Sequence, residues 1–512
     1  MAGDVTVKTV DFSGRPFHFI GIGGIGMSAL AYVLAKRQLP VSGSDLRSSH
    51  ITQRLEGVGA HIFSKQEGTN LELFNNCQTH LAEPVGVLAN QTIANKINNH
   101  YPPSRPGSTV TFVEENLPQV ICSTAIAHNN SEYQAARDKG CPIFHRSDVL
   151  AALIKDYQSI AVAGTHGKTT TSSILGYVLL KAGLDPTIIV GGEVDAWQGN
   201  AHLGKSNYLV AEADESDGTL VKHFPTIGIV TNIELDHPDH YQSLEEVVRT
   251  FQIFETQCEI VVGCIDCETV RTQLNPTITY SLEPAKNADY TVKEITYDLH
   301  GTTAQIWERG RFLGEMRLTI PGKHNVSNAL ATIAVGRKLG LDFEVIAEAL
   351  LTFGGAKRRF EHRGYCNDIT FIDDYAHHPS EIEATLSAAR SKVGHNHAGR
   401  VVAIFQPHRY SRTTTFLADF AKAFQEADLV ILSDIYSAGE VNIHNITGED
   451  LANAIKIHHS QVIYQPCLKT LTKSLPELLQ PGDLALFLGA GNLNQIIPQV
   501  IASYNDTQIE DC

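Results

Sequence analysis

Positive charge is in short supply: 40 lysines and arginines stand against 56 aspartates and glutamates, a formal net charge of −16. A general nucleic-acid binder needs the opposite balance, because cationic side chains must displace the counterions of the phosphates. Small polyanions are not excluded, since a few basic side chains and helix N-termini can build a local anion site on an acidic protein. Long apolar runs are also missing. None reaches the roughly 18 residues of a membrane helix, so no membrane insertion is expected. The opening MAGDVTVKTVDFSGRP has no basic start leading into an apolar stretch, which speaks against a secretory leader. Nine cysteines, an odd number scattered through a long chain, make a poor disulfide framework, and a reduced, cytoplasmic protein is expected. No repeat of fixed period is found.

What is present is ample material for cores. Hydrophobic residues make up 43% and charged residues 19% of the 512 residues. At roughly 150 residues per domain that length suggests about three domains. The first opens with the apolar Phe17–Ile20, runs into Gly21-Ile-Gly-Gly-Ile-Gly26, continues as a helical pattern from Met27 to Arg37, and reaches a second strand ending in Ser42-Gly-Ser-Asp45. That is a βαβ start, so a parallel sheet is predicted. From about Asn75 to Asn116 the chain is rich in Asn, Gln, Thr and Pro and is predicted to be an irregular insertion or long loop. A second βα unit begins at Ser159–Ala163, with helix predicted as far as Lys181 and further strands at Tyr208–Ala211 and Ile227–Val230. Strands at Asp368–Asp373, Arg400–Phe405, Asp428–Leu432 and Asp483–Leu488 mark a third. The predicted fold class is α/β, with three consecutive domains over 1–156, 157–358 and 359–512: Rossmann-like, P-loop ATPase-like and Rossmann-like.

The loops after these strands carry the chemistry. Gly21, Gly23 and Gly26 fit G-x-G-x-x-G, with Asp45 following, a pattern that lets backbone approach a diphosphate at a helix N-terminus. Alone it would also suit NAD. Gly164-Thr-His-Gly-Lys-Thr-Thr170 lies between an apolar strand and a helix, as a phosphate cradle must, although it is shorter than the full P-loop pattern. Lys168 is placed to reach the terminal phosphates, and the Thr169 hydroxyl to sit on Mg²⁺. Ala211-Glu-Ala-Asp-Glu-Ser-Asp217 crowds four carboxylates at a strand's carboxyl end, where a hard cation would neutralise them; Glu212 is the chosen ligand. Thr231-Asn-Ile-Glu-Leu-Asp-His237 caps the next strand, so His237 and Asp236 could complete a second metal position. In the third unit Arg409 and Arg412, three apart, are predicted to share a helical face suited to a small carboxylate or phosphate. Cys264-Ile-Asp-Cys267 is a single C-x-x-C without partners at zinc spacing, and is taken as structural.

HFIGIGGIGMSA, VSGSD, AVAGTHGKTT, AEADESDG, VTNIELDH, PGKHNVSNA, KRRFE, DDYAHHP, FQPHRYSRT and LGAGN, in this order from about Phe17 to Asn492, together resemble the Mur ligases. The resemblance implies an ATP-dependent enzyme that joins L-alanine to the carboxylate of UDP-N-acetylmuramate through an acyl phosphate in peptidoglycan synthesis. It implies that the nucleotide sugar lies on Gly21, Gly23, Gly24, Ile25 and Gly26, with Ser44, Asp45 and Ser123 nearby. It implies that ATP is held by Gly164, Thr165, His166, Gly167, Lys168, Thr169 and Thr170, by His324, Asn325 and Asn328, and by Arg359 and Asp373. Thr169, Glu212 and His237 match its Mg²⁺ ligands, and Lys168, His377, Arg409 and Arg412 its catalytic and amino-acid-side groups. Monomer and homodimer stay open. Two departures stand out: the insertion, and the absence of any lysine between His237 and Glu259 to match the modified lysine of some sister ligases. A sister enzyme attaching a recycled tripeptide, an NAD-dependent oxidoreductase, and an ATP-binding switch without ligase activity are the alternatives.

Overall fold

Parallel strands covered on both faces read as short, nearly unbroken apolar runs, and Phe17–Ile20, with all four residues buried, is such a run. A computed structural model describes residues 9–76, 117–298, 301–393 and 399–510. From residue 77 onward the predicted insertion falls outside these.

The chain divides into two compact units, Met1–Arg146 and Ser147–Cys512. The first holds a five-stranded, all-parallel sheet: β1 (Phe17–Ile20), β2 (Val41–Ser44), β3 (His61–Phe63), β4 (Gln119–Cys122) and β5 (Ile143–His145), ordered β3-β2-β1-β4-β5. Strand order reverses between β1 and β4, and ligands of open α/β sheets bind at the carboxyl ends of such strands. Gly21–Gly26 and Ser123 lie there. Close packing also selects Gly43 in β2, since a Cβ there would stand 2.5 Å from the Phe19 carbonyl oxygen.

The second unit contains two sheets. One has ten strands: β6 (Gln158–Ala163), β7 (Thr187–Val194), β8 (Gly199–His202), β9 (Tyr208–Glu212), β10 (Ile227–Val230), β11 (Ile260–Cys264), β12 (Ile278–Ser281), β13 (Tyr290–Asp298), β14 (Gly301–Glu308) and β15 (Arg311–Leu318). Their order is β15-β14-β13-β12-β11-β10-β6-β9-β7-β8. The pairings from β13 across to β7 are parallel, while β13–β14–β15 and β7–β8 are antiparallel. Arg309 and Gly310 join β14 to β15, both with positive φ (48° and 79°), as a two-residue hairpin turn of matching twist requires. Helix Lys168–Lys181, entering straight from the β6 loop, packs against the alanine-rich helix Lys323–Lys338, whose Val326, Ala329, Ala331 and Ile333 are fully buried.

The last sheet is β16 (Glu361–Cys366), β17 (Ile369–Asp374), β18 (Val401–Phe405), β19 (Leu429–Leu432), β20 (Val462–Tyr464) and β21 (Leu484–Leu488), ordered β16-β17-β21-β18-β19-β20 and parallel except for β16. Alternate side chains go to opposite faces. Val401, Ala403 and Phe405 join a core with Ile382, Leu386 and Phe420, while Val402 and Ile404 join one with Leu471, Leu475 and Ile497. Truncating a fully buried side chain such as Phe405 to alanine costs about 3–5 kcal/mol. The sheet thereby holds the loops after β17 and β18 in fixed positions.

Candidate active site

The loop after β6 is shaped by two glycines at positions where any other residue would be strained. Gly164 has φ +132°, and a Cβ there would lie 2.0 Å from Thr231 Oγ1; Gly167 has φ +84°, with a Cβ 2.7 Å from Asn328 Oδ1. The segment after β10 straps the loop down. Asn232 accepts from the Thr165 N–H through its carbonyl (3.1 Å) and from the His166 N–H through Oδ1 (2.8 Å), while the Thr231 hydroxyl donates to the His166 carbonyl (2.6 Å).

Lys168 opens the helix and folds back over this loop. Its ammonium donates to the Gly164 and Thr165 carbonyls (2.7 and 3.1 Å) and to both oxygens of Glu215 (2.8 and 2.9 Å). Burial disfavours the charged amine, but Glu215 and Asp214 more than offset this, and its pKa lies above the usual lysine value. Burial pushes Glu215 up to about 7 against the opposing pull of Lys168. The Thr169 hydroxyl donates to Glu212 Oε1 (3.0 Å), whose other oxygen accepts the Gly191 N–H (2.6 Å). Of the acidic cluster, Asp214 and Glu215 come together with His237, one ligand atom of each within 4.8 Å of the others. Glu212 is not in that trio; it stands beside Thr169.

A cavity of about 610 Å³ opens beside the loop, lined among others by Gly167, His324, Asn325, Asn328, Arg359 and Asp374. The asparagines form a chain: Asn328 donates to Asn325 Oδ1 (3.1 Å) and accepts from the Thr171 hydroxyl (3.1 Å). His324 is lowered to about 4 by burial and by Arg359, so it is neutral at pH 7. Arg359 reaches Thr169 Oγ1 at 3.4 Å and lies over the Tyr375 ring. Neighbouring residues of β17 face opposite ways, and this separates two carboxylates. Asp374 faces the cavity, accepts the Phe360 and Ala376 N–H groups (2.7 and 2.8 Å), and is raised to about 6 by burial. Asp373, the one predicted on the ATP side, instead pairs with Arg363 (3.2 Å) and Arg358 (3.4 Å). Cys264 and Cys267 also line this cavity as free thiols, and Cys267 Sγ accepts the Ile233 N–H at 3.4 Å.

The two arginines after β18 meet different carboxylates. Arg409 precedes helix Tyr410–Thr415 with φ +69°, and its guanidinium meets Asp239 (2.7 Å) and Glu440 (3.4 Å). Arg412, inside the helix and 3% exposed, donates through Nε and Nη2 to Asp236 Oδ1 (2.9 and 2.8 Å). Only Arg412 lies within the helix, since Arg409 is the residue just before it. His377 donates from Nδ1 to the Tyr375 carbonyl (2.9 Å), and burial lowers it to about 4.

Sequence reasoning passed over Glu381, third residue of helix Pro379–Val393, which gathers the site's histidines. It accepts the His377 and His378 N–H groups (3.0 and 3.3 Å) and contacts His166 Nδ1 at 3.1 Å. Burial would lower His166, but Glu234 and Glu381 hold it at about 10, so it is an imidazolium at neutral pH. A carboxylate at the third position of a helix was a signal available in the sequence; its contact with His166, 215 residues away, was not.

In the first unit the glycine loop begins at Gly21 (φ +80°). The Gly23 N–H donates to Asp45 Oδ2 at 2.9 Å, and Gly24 and Ile25 are exposed where helix Ile25–Lys36 starts, with Gly26 partly so. Ser44 is fully buried beneath, donating to Glu132 Oε2 (2.5 Å), and Glu132 Oε1 meets His18 Nε2 (2.8 Å) and Asn70 (2.7 Å). Ser44 thus forms the floor of the loop, while Ser123 is half-buried at the end of β4.

Comparison with known proteins bears on all three sheets. Residues 16–158 match the Mur ligase family catalytic domain, 162–336 the Mur ligase middle domain, and 358–491 the Mur ligase glutamate ligase domain. The UDP-N-acetylmuramate–L-alanine ligase of Crocosphaera subtropica is 73% identical over 508 residues, covering 98% of this chain and 96% of that protein. The enzyme of the same name from Gloeothece citriformis is 65% identical, covering 97% and 99%. Among solved structures, the UDP-N-acetylmuramate–alanine ligase of Thermotoga maritima superposes with a TM-score of 0.76 at 28% identity, covering 96% of this chain and 99% of that one. The three domain matches run from residue 16 to residue 491 and the relatives cover nearly the whole chain, so the chain belongs to the Mur ligase family.

Proposed function

We propose that this chain uses ATP to join L-alanine to the carboxylate of UDP-N-acetylmuramate, releasing ADP and phosphate, in the cytoplasmic synthesis of peptidoglycan precursor. The observation that carries the reading is Lys168 and Thr169 at the head of a helix beside the cavity of His324, Asn325, Asn328 and Arg359. Relatives at 73% and 65% identity bear the name of the alanine-adding enzyme, which favours alanine over a tripeptide as the acceptor. We assign residues 1–156 to the nucleotide sugar, 157–358 to ATP and 359–512 to the amino acid.

A carboxylate does not react with an amine at neutral pH, because oxide is not a leaving group. Transfer of the γ-phosphoryl of ATP to a carboxylate oxygen of the muramoyl group forms an acyl phosphate and frees ADP. The alanine nitrogen then attacks the acyl carbon, the tetrahedral intermediate expels phosphate, and the nitrogen sheds its proton to leave the amide. Lys168 balances charge on the moving phosphoryl group, a pre-placed electrostatic contribution. Asn325, Asn328, His324 and Arg359 hold the nucleotide, with Asp374 as the cavity's carboxylate. Neutral His377, its Nδ1–H committed to the Tyr375 carbonyl, offers Nε2 as an acceptor to the alanine ammonium. Arg409 holds the alanine carboxylate. Mg²⁺ supplies further charge neutralisation when bound; Thr169 and Glu212 would hold one ion, and His237, which converges with Asp214 and Glu215, would hold a second.

The test is phosphate release from ATP with UDP-N-acetylmuramate and each amino acid added or omitted. Release that needs both the nucleotide sugar and alanine is expected. Release without an amino acid, or with a tripeptide in preference to alanine, would overturn the reading.

A further inference from the structure

At the edge of the cavity three ligand-type side chains from distant parts of the chain converge. They are His166 of the loop after β6, Glu234 of the segment after β10, and His378 just ahead of helix Pro379–Val393. One ligand atom from each lies within 4.8 Å of the other two. The imidazole centroids are 4.7 Å apart, with 39° between the ring planes. Two imidazoles sharing a four-coordinate ion at ~2.1 Å would have centroids about 5 Å apart, so little movement is needed.

Each histidine also keeps one ring nitrogen without a hydrogen bond. His378 is 4% exposed, and its Nε2 has no hydrogen-bond partner; a buried polar atom left that way calls for an explanation. Its Nδ1 accepts only the Ser380 N–H at 3.4 Å, the long limit of such a bond. His166 Nε2 likewise makes no hydrogen bond, lying 3.4 Å from Glu234 Oε2, while its Nδ1 is on Glu381 at 3.1 Å. A carboxylate on the far nitrogen is the usual support of a metal-bound histidine. The Ser380 hydroxyl orients Glu234 through Oε2 (2.7 Å), and Glu234 is exposed enough for water to complete a fourth position.

We propose that His166, Glu234 and His378 form a binding site for a divalent ion of the zinc class, distinct from the Asp214–Glu215–His237 group. Two imidazole nitrogens, His166 giving up the proton that Glu234 and Glu381 hold on it, and one carboxylate oxygen suit Zn²⁺ and disfavour Mg²⁺, which prefers six oxygens and dehydrates reluctantly. Such an ion ties the loop after β6 and the segment after β10 to the residue that precedes the helix after β17. Metal binding is measured without turnover, so the site stands or falls independently of the ligase reading.

The experiment is a zinc titration of the full chain, stripped of metal and held in excess Mg²⁺, against a chromophoric chelator. One tight Zn²⁺ per chain is expected, weakened at least about tenfold by His378→Ala and by Glu234→Gln and retained by His237→Ala. No tight zinc, or zinc lost only with His237→Ala, overturns the site. If the first two variants fail to fold, Co²⁺ bound to the His237→Ala protein decides. Intense visible bands of a four-coordinate nitrogen-containing site support the proposal, and the weak spectrum of a six-coordinate oxygen site refutes it.

Discussion

Arg412 is the residue whose replacement the structure prices most clearly, because its partner cannot reach water. Arg412 and Asp236 are 3% and 4% exposed and meet through two short hydrogen bonds on one oxygen. Removing one member of a buried pair costs about 3–5 kcal/mol, since the other charge is left uncompensated. The Ser147–Cys512 unit has roughly 370 residues. At ~2.1 cal/mol/K per residue its unfolding entropy is near 0.8 kcal/mol/K, so Arg412→Met lowers the melting temperature by about 5 °C. The sign with pH follows from Asp236. Burial raises its pKa, but Arg412 overrides this and holds it well below the usual carboxylate range, so the pair contributes stability above about pH 4 that fades as pH falls below it. In Arg412→Met the burial cost is opposed only by the His237 N–H (2.7 Å) and the nearby histidines, so the Asp236 pKa rises and the carboxyl takes up a proton more readily on folding. The deficit is therefore largest near neutral pH and shrinks toward about pH 4. Asp236→Asn added to Arg412→Met removes the stranded charge, and the double variant should be more stable than the single. Calorimetry at several pH values measures all of this. A shift below about 1 °C, typical of an exposed pair, or a double variant no more stable than Arg412→Met, would refute the reasoning.

Three further outcomes are expected. Lys168→Ala should lower kcat by at least ~100-fold, about 3 kcal/mol, while UDP-N-acetylmuramate still binds by calorimetry; activity within tenfold of the starting enzyme would remove this loop from the chemistry. Glu212→Ala should lower activity and raise the Mg²⁺ concentration for half-maximal rate, and an unchanged Mg²⁺ dependence counts against Glu212 as a ligand. Arg409→Lys should raise the KM for alanine about tenfold with the KM for UDP-N-acetylmuramate nearly unchanged, because an ammonium does not reproduce the guanidinium fork. The opposite pattern would assign Arg409 to a phosphate.

The strands nearest the motifs were legible because both their faces are covered. Phe17–Ile20 and Ile227–Val230 are predicted with the bounds the structure has. β13–β15 escaped, since one-sided strands bury Val292, Ile306 and Met316 only at intervals and leave no apolar run. The site divides similarly. Lys168 and Thr169 are fixed by local chemistry, a glycine turn at a helix start, and so were readable. Which of Asp373 and Asp374 faces the cavity depends on strand phase, and one residue of phase reverses the answer. The Lys168 contact of Glu215 and the His166 contact of Glu381 exist only because the fold brings in partners 47 and 215 residues away.

The cavity's walls come from two different sheets: His324, Asn325 and Asn328 belong to the helix beside the ten-stranded sheet, and Asp374 to the six-stranded one. A nucleotide held there is, thermodynamically, a mortar between them. Whatever binds only the assembled wall stabilises it by RT ln(1 + [L]/Kd), about 2.7 kcal/mol at a hundredfold excess over Kd. On the proposed nucleotide site, the cohesion of the Ser147–Cys512 unit follows the nucleotide supply: scarce ATP would slow the enzyme and loosen its build as well.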